Sequence, residues 1–367
     1  MNHVYLKGLN TLRFFAAFFV IISHAEISLT KLGFEKFNDL AVFQRGGDAV
    51  EFFYVLSGFL ITFLLQQEIT RTGTVSIRKF YLRRVFRIWP LYFLIVAVAF
   101  VFLGLLYPRL TGQRFFEFPL LKGLVLFLLF LPNLATSLYA TGLLFPLRTI
   151  GVEEQYYLFW APLVKVFRKN LTYLIFFFLV ISYTWFYLID NRLLPLTGTW
   201  QAFLGTQKFY AMATGGLFGL IFYKFSQQYR MSIFAGKLGQ WLIFALVLWY
   251  YLIGFPFSET TWFHFCMCWV YGTLILNCSV LEGPVINLER KPFVYLGVIS
   301  YSLYCCHMLV DYCLRFTIMK FHIDKKIRFA LMMPAYHIAL LSGAIIVASL
   351  SYKYYESYFL RLKEKYA

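Results

Sequence analysis

Charge is what this 367-residue chain has least of. Asp and Glu together number 17 and Lys and Arg 34, so charged residues make up 14% of the chain, against 60% hydrophobic and 22% aromatic. With a mean hydropathy of +0.68, this balance excludes a soluble globular domain and predicts an all-α polytopic membrane protein. The apolar runs are broken by no hydrophilic block longer than a loop, no linker, no internal repeat and no low-complexity segment. A single transmembrane domain over 1-367 is therefore expected, with no appended soluble domain. The first apolar run has no small-residue cleavage site after it, which excludes a signal peptide and makes it a retained span. All six cysteines (Cys266, Cys268, Cys278, Cys305, Cys306 and Cys313) fall inside apolar runs, where a thiol behaves as a small hydrophobe. No disulfide and no metal site is expected from them. Cys305, Cys306 and His307 are consecutive, so on a helix they point in different directions and cannot ligate one ion together.

What is present is a series of eleven apolar runs: 12–28, 50–67, 88–107, 119–139, 149–165, 171–189, 208–223, 237–254, 260–280, 295–316 and 329–351. Basic residues favour the cytoplasmic side. The clusters at 78–87, 165–169, 224–237, 290–291 and 353–365, with Lys7 and Arg13, then mark internal loops and two internal termini, which requires an even number of crossings. The reading that satisfies every cluster has about ten transmembrane helices, with 119–139 left as a re-entrant or half-crossing hairpin broken at Pro132 and Asn133. Irregular backbone at that depth is tolerated only where it is buried in protein or lines a wet cavity. The net charge of +17 sits mostly in short loops beside spans, where it sets topology and attracts anionic headgroups. It gives no reason to expect nucleic acid.

Ionisable residues inside the apolar runs are few, and each costs at least a few kcal/mol at mid-bilayer unless it has a partner or a cavity. In LRFFAAFFVIISHAE, Arg13 and His24 are eleven residues apart. That is three turns plus roughly 20°, so they share one face about 16 Å apart along the axis. By the topology above, His24 lies near the outer end of the first span. Glu51, in GGDAVEFFYVLSGFLIT, and Glu153, in TIGVEEQYYLFW, begin spans from the same side. An imidazole and two carboxylates at a common depth suit a general base with a carboxylate that orients it. Glu154 points about 100° away from Glu153 and reads as a structural partner for a nearby cation. At the inner end, FYLRRVFRIWP sets Arg83, Arg84 and Arg87 on adjoining helical faces, a geometry that binds phosphate or carboxylate. Ser57 and Gly58 read as a close helix approach, with an active-site hydroxyl as the second reading. His307 reads equally as a packing hydrogen bond or a catalytic group, and His264, His322 and His337 are left unassigned.

These residues also carry a family resemblance. The Arg13 and His24 spacing, VEFFYVLSGFLI around Glu51, the RxxR pair Arg84 and Arg87, VEEQYYLFWAPL from 152 to 163, LGVISYSLYCCH from 296 to 307 and SYKYYESYFLRL near the end resemble, in order, six elements of acyltransferase family 3. Three positions depart from the pattern: Ala49 for a glycine, Arg148 for the usual tryptophan before the glutamate motif, and Tyr358 for a proline.

The resemblance implies an integral-membrane O-acyltransferase, in a bacterial inner (cytoplasmic) membrane, that moves an acyl group, most often acetyl, from cytoplasmic acyl-CoA to a hydroxyl of a cell-envelope glycan or glycolipid. No metal is implied. Arg84 and Arg87 would hold the donor's phosphates, and Arg83 is a third contact on charge alone. Arg13 would mark the donor side of a polar seam that ends at the catalytic His24, with Glu51 and Glu153 as its carboxylates. The acceptor and the acyl group are left open. The alternative is a transporter or flippase for a glycolipid or anionic metabolite, but two halves with corresponding Gly/Pro-interrupted spans are missing.

Overall fold

The structure is a computed structural model and describes residues 6–34, 40–112, 114–139, 141–280, 284–323 and 328–366. No strand occurs among them. Sixteen α-helices run in the order α1 (Leu9–Lys31), α2 (Gly46–Thr72), α3 (Ile77–Ala97), α4 (Tyr107–Thr111), α5 (Leu120–Leu128), α6 (Pro132–Leu138), α7 (Leu147–Val166) and α8 (Leu171–Asp190). They continue with α9 (Gly198–Gly205), α10 (Phe209–Arg230), α11 (Lys237–Leu252), α12 (Thr261–Val280), α13 (Lys291–Val298), α14 (Ser300–Lys320), α15 (Phe329–Ser351) and α16 (Ser357–Tyr366). Wider π-helical turns join α3 to α4 and α15 to α16.

Among the described residues six helices are long and apolar enough to cross a membrane: Leu9–Lys31, Gly46–Thr72, Ile77–Leu110, Arg168–Asp190, Thr261–Val280 and Ala330–Tyr366. The pair α13 and α14, bent by 70° at Ile299, makes a seventh if it is one span. Ten crossings were expected, and the difference lies in α7, α10 and α11. The first two have the length, at 20 and 22 residues, but α7 carries Arg148, Glu153, Glu154 and Lys165, and the end of α10 carries Lys224 and Arg230. The third has only 16 residues. The protein is thus all-helical among its described residues, with the apolar helices of an integral membrane protein, and α7 carries charge where it lines the cavity described below.

The segment 119–139 folds as two short helices, α5 and α6, joined at 129–131 with Phe130 at φ 56°. At about 1.5 Å per residue neither reaches half of a bilayer core of roughly 30 Å. Pro132 opens α6 at a position where its missing N–H is no loss. Protein closes the break: Gln155 Nε2 of α7 donates to the Phe130 carbonyl and to Asn133 Oδ1, both at 2.9 Å.

The tightest packing is between α2 and α10. A Cβ at Gly58 would fall on the Met212 carbonyl, and one at Gly215 on that of Val55. Small residues let two backbones approach where apolar burial supplies no drive between lipid-exposed helices. At the other face, Tyr301 of α14 donates to the Ile88 carbonyl (2.7 Å), and Tyr355 donates to that of Pro90 (3.1 Å). These bonds pin α14 and the chain's last helical stretch to α3 beside Arg87.

Candidate active site

The helix α3 brings Arg84 and Arg87, one turn apart, to the wall of a cavity of about 100 Å³. Arg13 of α1 enters the same cavity, so three guanidiniums from two helices face one space, lined also by Ser57, Glu153 and Tyr304. Arg84 lies near the rings of Phe80 and Tyr157, at 5.7 and 5.5 Å, which fixes its plane. Its buried Nε has no hydrogen-bond partner among the described residues. Opposite, Glu153 accepts from Ser57 Oγ at 3.0 Å and from the Tyr157 hydroxyl at 2.9 Å. The close helix approach expected at Ser57–Gly58 is seen, since the glycine admits α10, while the serine sits on the cavity wall and donates to Glu153.

Arg83, one residue away, does not line this cavity. Its Nη2 pairs with Glu68 Oε2 at 3.0 Å, and Glu68 Oε1 takes the Ser76 N–H at 2.8 Å. Arg83 therefore braces the turn between α2 and α3. Adjacent helical positions diverge by about 100°, which is why charge alone grouped it with its neighbours.

His24 meets a partner from the far end of the chain. Its Nδ1 is 2.8 Å from Nε2 of His307, and the two rings are nearly coplanar, 7° apart with centroids at 5.0 Å. This is the side-by-side arrangement of an in-plane N–H···N bond. The protons can be placed from the next contact. His307 Nδ1 lies 2.7 Å from the Tyr304 carbonyl oxygen, which only accepts, so Nδ1 carries hydrogen. In neutral His307, Nε2 is then the acceptor, and His24 must donate from Nδ1. The lone pair of His24 falls on Nε2, the nitrogen that no described residue engages. His24 is half-buried and His307 fully buried.

Neither carboxylate expected beside His24 is there. Glu153 is in the arginine cavity. Glu51 joins Lys208 Nζ and His264 Nδ1, the latter at 3.2 Å, in a separate cluster with Asp48. Equal depth in three helices did not mean equal position around the bundle. Asp48, Glu51 and His264 place ligand atoms within 4.8 Å of one another, but the Lys208 ammonium already answers Glu51, and Arg45 stands 3.7 Å from Asp48. Lys208 and His264 carried no sequence signal, since their partners are far away along the chain. Glu154, read as a partner for a cation, accepts instead from the Trp89 indole at 3.1 Å.

The cavity and the histidine pair share Tyr304. Its side chain lines the former and donates to Thr149 Oγ1 at 2.9 Å, while its carbonyl orients His307. Three guanidiniums on one cavity wall, with a histidine pair reached through Tyr304, make the candidate site. The profile of an acyltransferase domain matches residues 6–353, and the chain belongs to the acyltransferase 3 family. It is similar to the peptidoglycan O-acetyltransferase OatA of Listeria monocytogenes serovar 1/2a, 26% identical over 172 residues, which is 45% of this chain and 25% of that protein. To the O-acetyltransferase OatA of Staphylococcus aureus strains NCTC 8325 and COL it is 33% identical over 109 residues, 30% of this chain and 16% of theirs. The chain thus spans a quarter or less of the length of these relatives. No solved structure matches it.

Proposed function

We propose that the protein is an O-acyltransferase of the bacterial cytoplasmic membrane that takes an acyl group, acetyl in the simplest case, from cytoplasmic acyl-CoA to a hydroxyl of a cell-envelope glycan. The observation that carries the donor is the cavity of Arg13, Arg84 and Arg87 with the unpartnered Arg84 Nε. Bidentate guanidiniums suit phosphate oxygens, and CoA is the acyl carrier that brings phosphates. Its pantetheine arm, extended, covers the distance of about 16 Å along α1 between Arg13 and His24. Glu153 offsets part of the charge of the three guanidiniums. The glycan acceptor rests on what the similar proteins are named for.

In the reaction, His24 Nε2 takes the proton of the acceptor hydroxyl as its oxygen attacks the thioester carbonyl. The tetrahedral intermediate collapses, the C–S bond breaks, and the proton returns from His24 to the departing thiolate sulfur. His307 holds the His24 tautomer and accepts from the Nδ1 hydrogen when His24 is an imidazolium. No carboxylate takes this part. The test is CoA release from acetyl-CoA by the purified full chain in lipid nanodiscs, with envelope glycan added and the glycan analysed by mass spectrometry. Acetylated glycan formed by wild type and not by His24→Ala is expected; transfer at the wild-type rate in His24→Ala would sink the reading.

A further inference from the structure

Arg148 is the cation that the site described above leaves unused. It lies in the first turn of α7, between the arginine cavity, whose wall includes its neighbour Thr149, and the histidine pair. Its guanidinium covers the face of Phe145 at 4.0 Å, and the same ring meets His24 edge-on at 6.1 Å. One phenyl ring thus separates it from the reactive imidazole. The arginine is half-buried, and no carboxylate among the described residues pairs with it.

Three costs meet at this position. A cation in the first turn of a helix opposes the macrodipole. A half-buried cation loses part of its hydration without a counter-charge. One beside a base disfavours the imidazolium that the base must become. A stacked aromatic ring offsets only part of this. An anion arriving with the substrate would relieve all three, and the cavity arginines Arg13, Arg84 and Arg87 are already assigned to the donor's phosphates under that reading.

We infer that Arg148 is a specificity residue that receives a carboxylate of the substrate next to the reacting carbonyl. This rests on the acyl-CoA reading. Two sources have this chemistry: a dicarboxylic acyl group such as succinyl on the donor, or an acidic sugar in the acceptor. In either case the guanidinium donates a fork of N–H groups to the carboxylate and no bond of the substrate changes there.

The test uses the full chain in nanodiscs and reads CoA release and product mass for four combinations. The donors are acetyl-CoA and succinyl-CoA; the acceptors are a neutral N-acetylglucosamine oligomer and a matching oligomer that contains N-acetylmuramic acid. Wild type should favour the charged member of one pair. Arg148→Gln should lower kcat/KM for that member by about tenfold or more beyond its effect on the neutral one, Arg148→Glu by more, and Arg148→Lys should keep part of the preference. A preference within the donor pair assigns the carboxylate to the acyl group, and one within the acceptor pair assigns it to the sugar. A wild type indifferent to charge in both pairs, or variants that lose all four activities in equal proportion while melting at the wild-type temperature, would overturn the inference. Should Arg148→Gln fail to fold, Arg148→Lys and the wild-type preferences still decide it. Absence of His24-dependent CoA release from every combination would instead remove the acyl-CoA reading itself.

Discussion

At the scale of single residues, the two ends of the seam can be told apart by kinetics. His24→Ala removes the proposed base, for which a loss of about 10²–10⁴-fold is expected, with CoA affinity by calorimetry unchanged. His307→Ala removes only the partner that fixes the tautomer, so kcat should fall less and KM for acyl-CoA should stay. Arg87→Ala deletes a charge-assisted contact worth about 1.5–3 kcal/mol, a loss of about tenfold or more in CoA affinity that shrinks at saturating donor. Glu153→Gln separates two roles. As counter-charge to the arginines, its loss makes the cavity more positive and should tighten CoA; a carboxylate that oriented His24 would lower kcat with affinity intact. The sequence already showed the Arg13 and His24 stripe and the Arg84 and Arg87 pair, because each lies within one helix and is set by its period. It did not show that His307, 283 residues away, bonds to His24, or that Lys208 pairs with Glu51 at a separation of 157. Depth in a membrane follows from topology, but the order of helices around a bundle is written in no local pattern.

At the scale of elements, the crossing of α2 and α10 is the joint on which the cavity depends, since Ser57 hangs from it. Gly58→Val and Gly215→Val each put side-chain atoms where a backbone carbonyl of the other helix lies. Overpacking of this kind costs about 1–3 kcal/mol or more, so both variants should melt at lower temperature in detergent. Gly47→Ala, in the first turn of the same α2, meets nothing within 4 Å and should melt like wild type. Equal melting of all three would show that the helices do not approach in this way. The break before Pro132 was visible in the sequence as a proline in an apolar run. What closes it was hidden, because Gln155 sits in a stretch whose glutamates draw attention first.

At the scale of the whole molecule, the helical segment Ile77–Leu110 is 34 residues long. At 1.5 Å per residue its length of about 50 Å exceeds the bilayer core, so Lys79 and Arg109 are expected on opposite sides. Single cysteines introduced there, in a background lacking the exposed Cys266 and Cys313, should react with an impermeant reagent from outside at 109 and not at 79. A cysteine at Lys169 should also be protected if 119–139 turns back within the membrane. External labelling at 169 would make that segment a full crossing and change the count.

The two bonds of the His307 ring are not alike. The one to Tyr304 lies within α14 and travels with it, whereas the one to His24 spans two separate helices. Sliding α1 against α14 by an ångström or two leaves His307 set as before and disconnects His24, whose proton is then free to sit on either nitrogen. The setting of His24 therefore depends on how α1 seats against α14, whereas that of His307 depends on α14 alone.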